Sequence, residues 1–395
     1  MSFPAALEIP DCILQIARTL EAAGFEAWCV GGTLRDNLLG HPHSDYDIAT
    51  SATPDQVQRL FPRTVAVGIK YGTVGVLDQQ RVLHEVTTFR EDVLTDGRHA
   101  VVRYGVALEE DLARRDFTIN AIAYHPLRHE WRDPFEGKRD LDRALVRAVG
   151  KPGQRFQEDF LRILRALRFA ARFGFTIDPA TWEAARTAAQ GLAHLSAERV
   201  RDEWFKGLAT ARSVTQLASL WLEVGAARIW IPELERVPAS SGLGAGPAAS
   251  ARDPVVLTAL LTGSPVAVLR RLKASNAEVD RALGIERGPE TPAAADERSV
   301  RRWLATVGDS ADDLIVLWSL RHGAAPPWAQ SVQQIRKRGD PLTRSDLAIT
   351  GTDLMALGVT GPLIGETLAG LLDRVLEEPA LNTRESLLGL ARKTR

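Results

Sequence analysis

Between residues 28 and 50 the chain reads WCVGGTLRDNLLGHPHSDYDIAT, a stretch whose residue types could do chemistry together. Asp45 and Asp47 stand two apart, so on an extended strand both carboxylates project from one face. Like charges held that close repel unless a cation sits between them, and oxygen-only ligands on a rigid strand suit Mg2+. Two such ions would activate an attacking hydroxyl and neutralise a leaving pyrophosphate. Upstream, Gly31 and Gly32 lack side chains, which lets backbone N–H groups approach a phosphate, and Arg35 and Asp36 then open a helix. Taken singly, Asp-x-Asp also describes a solvated strand face and Gly-Gly an ordinary turn. At this spacing, with Arg-Asp between them, they point to nucleotidyl transfer.

A second constellation lies in residues 158–172, EDFLRILRALRFAAR. On a helix, Leu164, Leu167, Ala170 and Ala171 form a packed stripe, while Asp159, Arg162, Arg165 and Arg168 follow one another at i+3 on another face. A salt-bridged, solvated face would account for the same letters. The surplus of arginine over carboxylate nevertheless suits a triphosphate, and Asp159 with Arg162 supplies the acceptor and planar fork needed to hydrogen-bond a base edge. Glu85, in a β-like run, is a candidate third carboxylate near the metals or simply an acid on an exposed strand face.

These groups need a scaffold, and the periodicity supplies one. Ile13, Leu14, Ala17 and Leu20 recur at helical spacing over residues 11–23, and short β signals follow at 27–30, 74–77 and 82–89. Beyond about residue 150 the pattern turns helical, broken by loop-like stretches at 238–254, 288–295 and 323–327. The isolated tryptophans of that half, such as Trp204, Trp221, Trp303 and Trp328, are expected in cores rather than stacked on RNA.

Composition bounds the function. With 395 residues, 45% hydrophobic and 25% charged, the chain is an ordinary globular protein of more than one domain. No apolar run is long enough for a membrane span and no signal peptide is recognisable, so a cytoplasmic protein without a membrane partner is expected. Two cysteines, Cys12 and Cys29, exclude a disulfide framework and a CxxC zinc site. The net charge of -1 does not announce a nucleic-acid partner, so charge must be organised locally if there is one.

The Gly31-Gly32-x-x-Arg35-Asp36 and Asp45-x-Asp47 signatures resemble those of class II tRNA nucleotidyltransferases, the CCA-adding group that shares its catalytic head with bacterial poly(A) polymerases inside the DNA polymerase beta superfamily. The resemblance runs over residues 24–210. In residues 111–121 (DLARRDFTINA) it implies that Arg114 and Arg115 face the triphosphate and that Asp116 and Asn120 support the sugar and the strand. Residues 133–137, with Asp140-Leu141 and 147–150, match the link between head and neck. Glu136 stands where Gly is usual, a surface change expected to leave the chemistry alone. The Glu-Asp-x-x-Arg segment corresponds to the amino-acid template, which assigns base selection to Asp159 and Arg162 and phosphate contacts to Arg165 and Arg168. In residues 195–203, Ser196 is expected to cap a helix, with Glu198 and Arg199 bracing the template.

The implied fold is α+β: a small mixed β-sheet nucleotidyltransferase head at 1–145, then an all-α neck at 146–215, a body at 216–330 and a tail at 331–395 expected to bind tRNA. The implied activity is template-independent addition of C and A to the tRNA 3′ end from CTP and ATP with Mg2+, with no DNA partner. A-only and CC-only enzymes and a poly(A) polymerase share this chemistry, and a non-catalytic RNA-binding protein could share the scaffold. CC-only relatives shorten the flexible loop that corresponds to residues 91–110, so its retention here, with Asp96-Gly-Arg98, argues for A addition.

Overall fold

The computed structural model describes residues 2–41, 45–95, 100–236 and 252–393. Two compact units divide it, residues 1–235 and 236–395.

In the first unit, helix Asp11–Ala22 (α1) is followed by strand Ala27–Val30 (β1), helix Gly32–Leu38 (α2), strand Asp47–Thr50 (β2) and helix Pro54–Leu60 (α3). Strands Thr64–Gly68 (β3), Thr73–Leu77 (β4), Leu83–Thr88 (β5), Arg90–Thr95 (β6) and Ala100–Tyr104 (β7) follow, then helix Leu108–Ala113 (α4) and strands Ala123–His125 (β8) and Glu130–Arg132 (β9). Seven of these strands form one sheet in the order β3-β4-β5-β2-β1-β8-β9. It is mixed: β2 and β5 run parallel, while the other neighbours are antiparallel. The mixed head sheet followed by helices is the α+β arrangement that the sequence implies.

Apolar alternation gives the sheet two buried faces. On one, Ile13, Ile16, Ala17 and Leu20 of α1 pack with Ile48 and Val86. On the other, Trp28, Val30 and Ala49 pack with Leu108 and Leu112 of α4. The strands at 27–30, 74–77 and 82–89 appear where the sequence places them. Within residues 91–110, β6 and β7 pair antiparallel, Arg90 with Tyr104 and Thr95 with Ala100, so the described part of this segment is largely strand. The Asp96-Gly-Arg98 signature lies outside the described residues, as does most of the stretch at 238–254.

The head leads through helix Gly137–Asp142 (α5) into helices Pro152–Glu158 (α6), Leu161–Phe173 (α7), Pro179–Ala188 (α8), Ala197–Thr210 (α9) and Val214–Val224 (α10). Leu164, Leu167, Ala170 and Ala171 are buried, as the periodicity requires. Glu136 sits at φ 59°, ψ 33°, the left-handed conformation that favours Gly and accounts for the usual residue there. Gly137 beside it has no latitude, since a Cβ would stand 2.1 Å from the Thr118 carbonyl oxygen. Trp204 and Trp221 pack edge to face at 5.0 Å inside this unit.

The second unit carries no strand among its described residues. Trp303 and Trp328 are buried within it, and Leu354, Val375 and Leu387 center a further core. No helix among the described residues is long and apolar enough to cross a membrane.

Candidate active site

Strand register assembles an acidic corner. Val30 of β1 pairs with Asp47 of β2, which sets the carboxylate beside Gly31 at the end of β1. Gly31 turns at φ 87°, and a Cβ there would lie 3.2 Å from Asp47 Oδ2 and 3.6 Å from Arg115 Nη1. Gly32 likewise leaves room for the Arg35 guanidinium, 3.2 Å from where its Cβ would be. The glycine pair thus makes space for charged side chains.

Ile48 pairs with Val86, so Glu85 of β5 comes beside Asp47 on the same face. Asp45 lies exposed just before β2, its backbone carbonyl accepting a hydrogen bond from the Thr33 hydroxyl of α2. Burial, then the neighbouring Glu85 and Asp45 charges, push Asp47 up to about 6, with Arg115 opposing. An oxygen-only cluster whose own charges repel in this way fits a hard divalent cation. Glu85 stands beside Asp47 and is also exposed on its strand, so both sequence readings of it are compatible with its position.

Around this corner lies a cleft of about 660 Å³ lined by nine arginines and four carboxylates. A chain of net charge -1 has therefore gathered nine arginines at one site, balanced in large part by carboxylates in and behind its lining. The requirement that charge be organised locally is met here.

Carboxylates from neighbouring elements hold these arginines in place. Asp111 of α4 accepts from Arg114 Nη2 at 2.8 Å and from Arg115 Nη2 at 3.3 Å. Burial works against its anion, yet the two guanidiniums keep the carboxyl below its usual range. Arg115 Nε is buried without a hydrogen-bond partner among the described residues.

Arg35 and Asp36 lie inside α2 rather than at its opening, because the helix begins at Gly32. Both are buried. Arg35 donates to Asp36 at 2.8 Å and to Asn120 Oδ1 at 2.5 Å, and its guanidinium lies 4.8 Å from the rings of both Phe169 and Phe173. Asp36 also accepts from Arg172 at 2.8 Å, so the pair ties α2 to α7. Asn120 in turn donates to Asp116 at 2.9 Å.

Asp159 does not share a helix face with the arginines that follow it. Its backbone is extended, at φ −156° and ψ 106°, between the end of α6 and the start of α7. Phe160 anchors this break by packing against Gly191, where any Cβ would strike its ring. Asp159 Oδ1 accepts from the Leu161 N–H at 3.0 Å and Oδ2 from Arg199 at 2.6 Å, the brace that the sequence suggests. Ser196 does stand at the N-cap of α9, but its side chain makes no capping bond.

Arg162 donates to Glu158 at 2.7 Å, to the Arg155 carbonyl at 3.2 Å and to the Arg114 carbonyl at 3.1 Å. These bonds use three of a guanidinium's five N–H groups, and each Asp159 oxygen keeps a further lone pair. Both side chains are thus fixed while retaining hydrogen-bonding capacity toward the cleft.

Arg165 and Arg168 also line the cleft, though much of their charge is already met. Arg165 donates to Asp116 at 2.7 Å, and Arg168 to Glu203 of α9 at 2.6 Å. Sequence spacing could not find these partners, which lie 49 and 35 residues away. Burial opposes the Asp116 anion, but Arg165, with Asn120 and the Phe117 N–H, holds its carboxyl down at about 2.

Residues 27–147 match the family described as Poly A polymerase head domain, and residues 174–237 the one described as probable RNA and SrmB-binding site of polymerase A. The CCA-adding enzyme of Lacticaseibacillus paracasei is 36% identical over 400 residues, which cover 96% of this chain and 95% of that protein. The CCA-adding enzyme of Streptococcus mutans is also 36% identical, with 96% of each chain covered. A crystal structure of the Bacillus stearothermophilus CCA-adding enzyme in complex with CTP superimposes with a TM-score of 0.83 at 32% identity, covering 97% of this chain and 98% of that one. With relatives this similar along nearly the whole chain, and the acidic corner, arginine cleft and Asp159–Arg162 pair in place, this protein belongs to the CCA-adding enzymes, a family of tRNA nucleotidyltransferases.

Proposed function

We propose the following division of labour for adding C and A to the 3′ end of tRNA from CTP and ATP without a nucleic-acid template. Asp45 and Asp47, with Glu85 beside them, hold Mg2+. When bound, the ion supplies Lewis-acid activation of the tRNA 3′ hydroxyl and neutralises the triphosphate. Arg114 and Arg115, preset by Asp111, take the triphosphate and orient its α-phosphate for in-line attack, with pyrophosphate leaving. Gly31 and Gly32 keep the approach open. Arg35, Asp36, Asn120 and Asp116 position this machinery from behind, and Arg165 and Arg168 add charge to the cleft while held by Asp116 and Glu203.

Asp159 and Arg162 read the base edge. Their fixed geometry supports this role, because a site that hydrogen-bonds the correct base rejects a wrong one by leaving polar groups unpaired. The observation that carries the whole assignment is the arginine cleft closing on a single acidic corner. Full CCA addition is the activity named for the relatives, which favours it over A-only, CC-only and poly(A) readings. Residues 1–145 act as head, 146–215 as neck, 216–330 as body and 331–395 as a tail that helps hold tRNA through backbone charge and shape. Such a substrate suits work in the cytoplasm.

Asp47→Ala or Asp45→Ala tests the catalytic assignment. Either change should abolish Mg2+-dependent incorporation into tRNA lacking CCA while leaving tRNA affinity nearly unchanged. Substantial turnover in either variant would remove these residues from the catalytic centre.

A further inference from the structure

On the face of the head sheet opposite the acidic corner, three side chains from separate elements converge. Cys12 belongs to α1, Asp78 follows the last residue of β4, and His84 lies in β5, one residue out of phase with Glu85 and therefore on the other face. The Cys12 sulfur, a carboxylate oxygen of Asp78 and a ring nitrogen of His84 all lie within 4.8 Å of one another. A pocket of about 260 Å³, lined in part by Cys12 and Asp78, opens there.

The bonding within the group is incomplete. Asp78 Oδ1 accepts from the Gln80 and Val82 N–H groups at 2.8 Å, fixing the carboxylate on the β4–β5 turn. Its Oδ2 meets His84 Nε2 at 3.1 Å. His84 is only 4% exposed, yet its Nδ1 is buried with no hydrogen-bond partner among the described residues. Nε2, which meets Asp78, is thus the nitrogen that faces the group, and an ion seated there takes the place of the Nε2–Oδ2 hydrogen bond.

We propose that Cys12, Asp78 and His84 form a second metal site, selective for Zn2+ over Mg2+, that pins α1 to the β4–β5 turn. One soft sulfur, one imidazole nitrogen and one carboxylate oxygen are the donors zinc prefers, whereas Mg2+ takes oxygen ligands. Bond lengths of about 2.0–2.3 Å put tetrahedral ligand atoms about 3.5 Å apart, so closure needs roughly a 1 Å adjustment of side chains. A water from the pocket completes four-coordination. The thiol proton passes to solvent as the metal–sulfur bond forms. The site takes no part in nucleotide addition, being on the far side of the sheet.

Co2+ is the probe, since a thiolate ligand produces a sulfur-to-cobalt charge-transfer band that oxygen-only sites cannot. Full-length, metal-stripped protein should develop this band with one equivalent of Co2+, lose it on adding Zn2+, and keep it in excess Mg2+. Cys12→Ser should abolish the band and the Zn2+-dependent rise in Tm, without changing metal-free Tm or Mg2+-dependent incorporation. His84→Gln and Asp78→Asn should each weaken Co2+ binding at least about tenfold. No band in the wild-type protein, or a band that survives Cys12→Ser, would overturn the proposal and leave the trio as a hydrogen-bonded brace of the turn.

Discussion

Arginine is used differently in the two units. Of the 49 cationic side chains only seven are lysine, so both regions draw on the same residue. Around the cleft two of the ion pairs lie well below the surface: the Arg35 and Asp36 side chains are 4% and 7% exposed, those of Arg168 and Glu203 10% and 4%. In the second unit, Arg338 with Glu297 and Arg302 with Glu377 are about two-fifths exposed. Arg301 is the exception there, buried with its Nε donating to the Leu376 carbonyl at 2.8 Å. A buried pair holds a guanidinium in one geometry and is costly to break, whereas an exposed pair is screened by water and adds little. The cleft's arginines are therefore preorganised for a ligand, while the exposed ones chiefly keep the surface hydrated.

The comparison can be broken from its buried side first. Glu203→Ala removes the partner of Arg168 and strands a buried charge, which should cost about 3–5 kcal/mol and be plain in a thermal melt. Repair by a second change, Arg168→Met, should recover most of that loss. If Glu203→Ala melts like the wild type, the pair does not anchor α7 to α9.

A smaller effect comes from acid. Asp116 is held down at about 2 in the folded chain, against about 3.9 unfolded, so its stabilisation is complete above about pH 4 and is lost as the pH falls toward 2. Asp116→Asn cannot titrate. Its deficit in Tm relative to the wild type should be largest near neutrality and shrink between about pH 4 and pH 2. A deficit independent of pH would show that packing, not charge, is what the substitution disturbs.

At the exposed end, Arg302→Ala should leave the melting temperature close to that of the wild type, and closer still in high salt. A larger loss would mean that the second unit relies on its surface pairs, and the contrast between the units would fail.

Local pattern makes the acidic corner and its glycine turn legible and leaves the long-range supports of the cleft hidden. Asp45, Asp47, Gly31 and Gly32 could be read because strand alternation and the absence of side chains have consequences within a few residues. The packed stripe of α7 was readable from its 3.6-residue period. Asp159 was placed wrongly on that helix, since nothing in the local letters reveals that Phe160 docks against Gly191 and extends the backbone just before it. Strand β3 is a short segment whose Val65 and Val67 stand at strand spacing in the sequence, yet both are exposed in the fold and join no core. Strands β6 and β7 carry a β signal in Val93, Val101, Val102 and Tyr104, but the resemblance to a flexible loop outweighs it in the sequence reading. Partners such as Asp116 for Arg165 and Glu203 for Arg168 are long-range contacts, which spacing cannot supply.

The central claim is that two side chains, rather than a nucleic-acid template, choose the nucleotide. Incorporation rates for CTP, ATP, UTP and GTP, measured with Asp159→Ala and Arg162→Ala alongside their melting temperatures, test it most directly. Losing one charge-assisted hydrogen bond is worth roughly 1.5–3 kcal/mol, so each variant should lose about ten- to a hundredfold of its discrimination against UTP and GTP. Destabilised variants that keep the wild-type nucleotide preference would contradict the claim, and would reduce Asp159 and Arg162 to links in the Arg199 and Glu158 ion pairs.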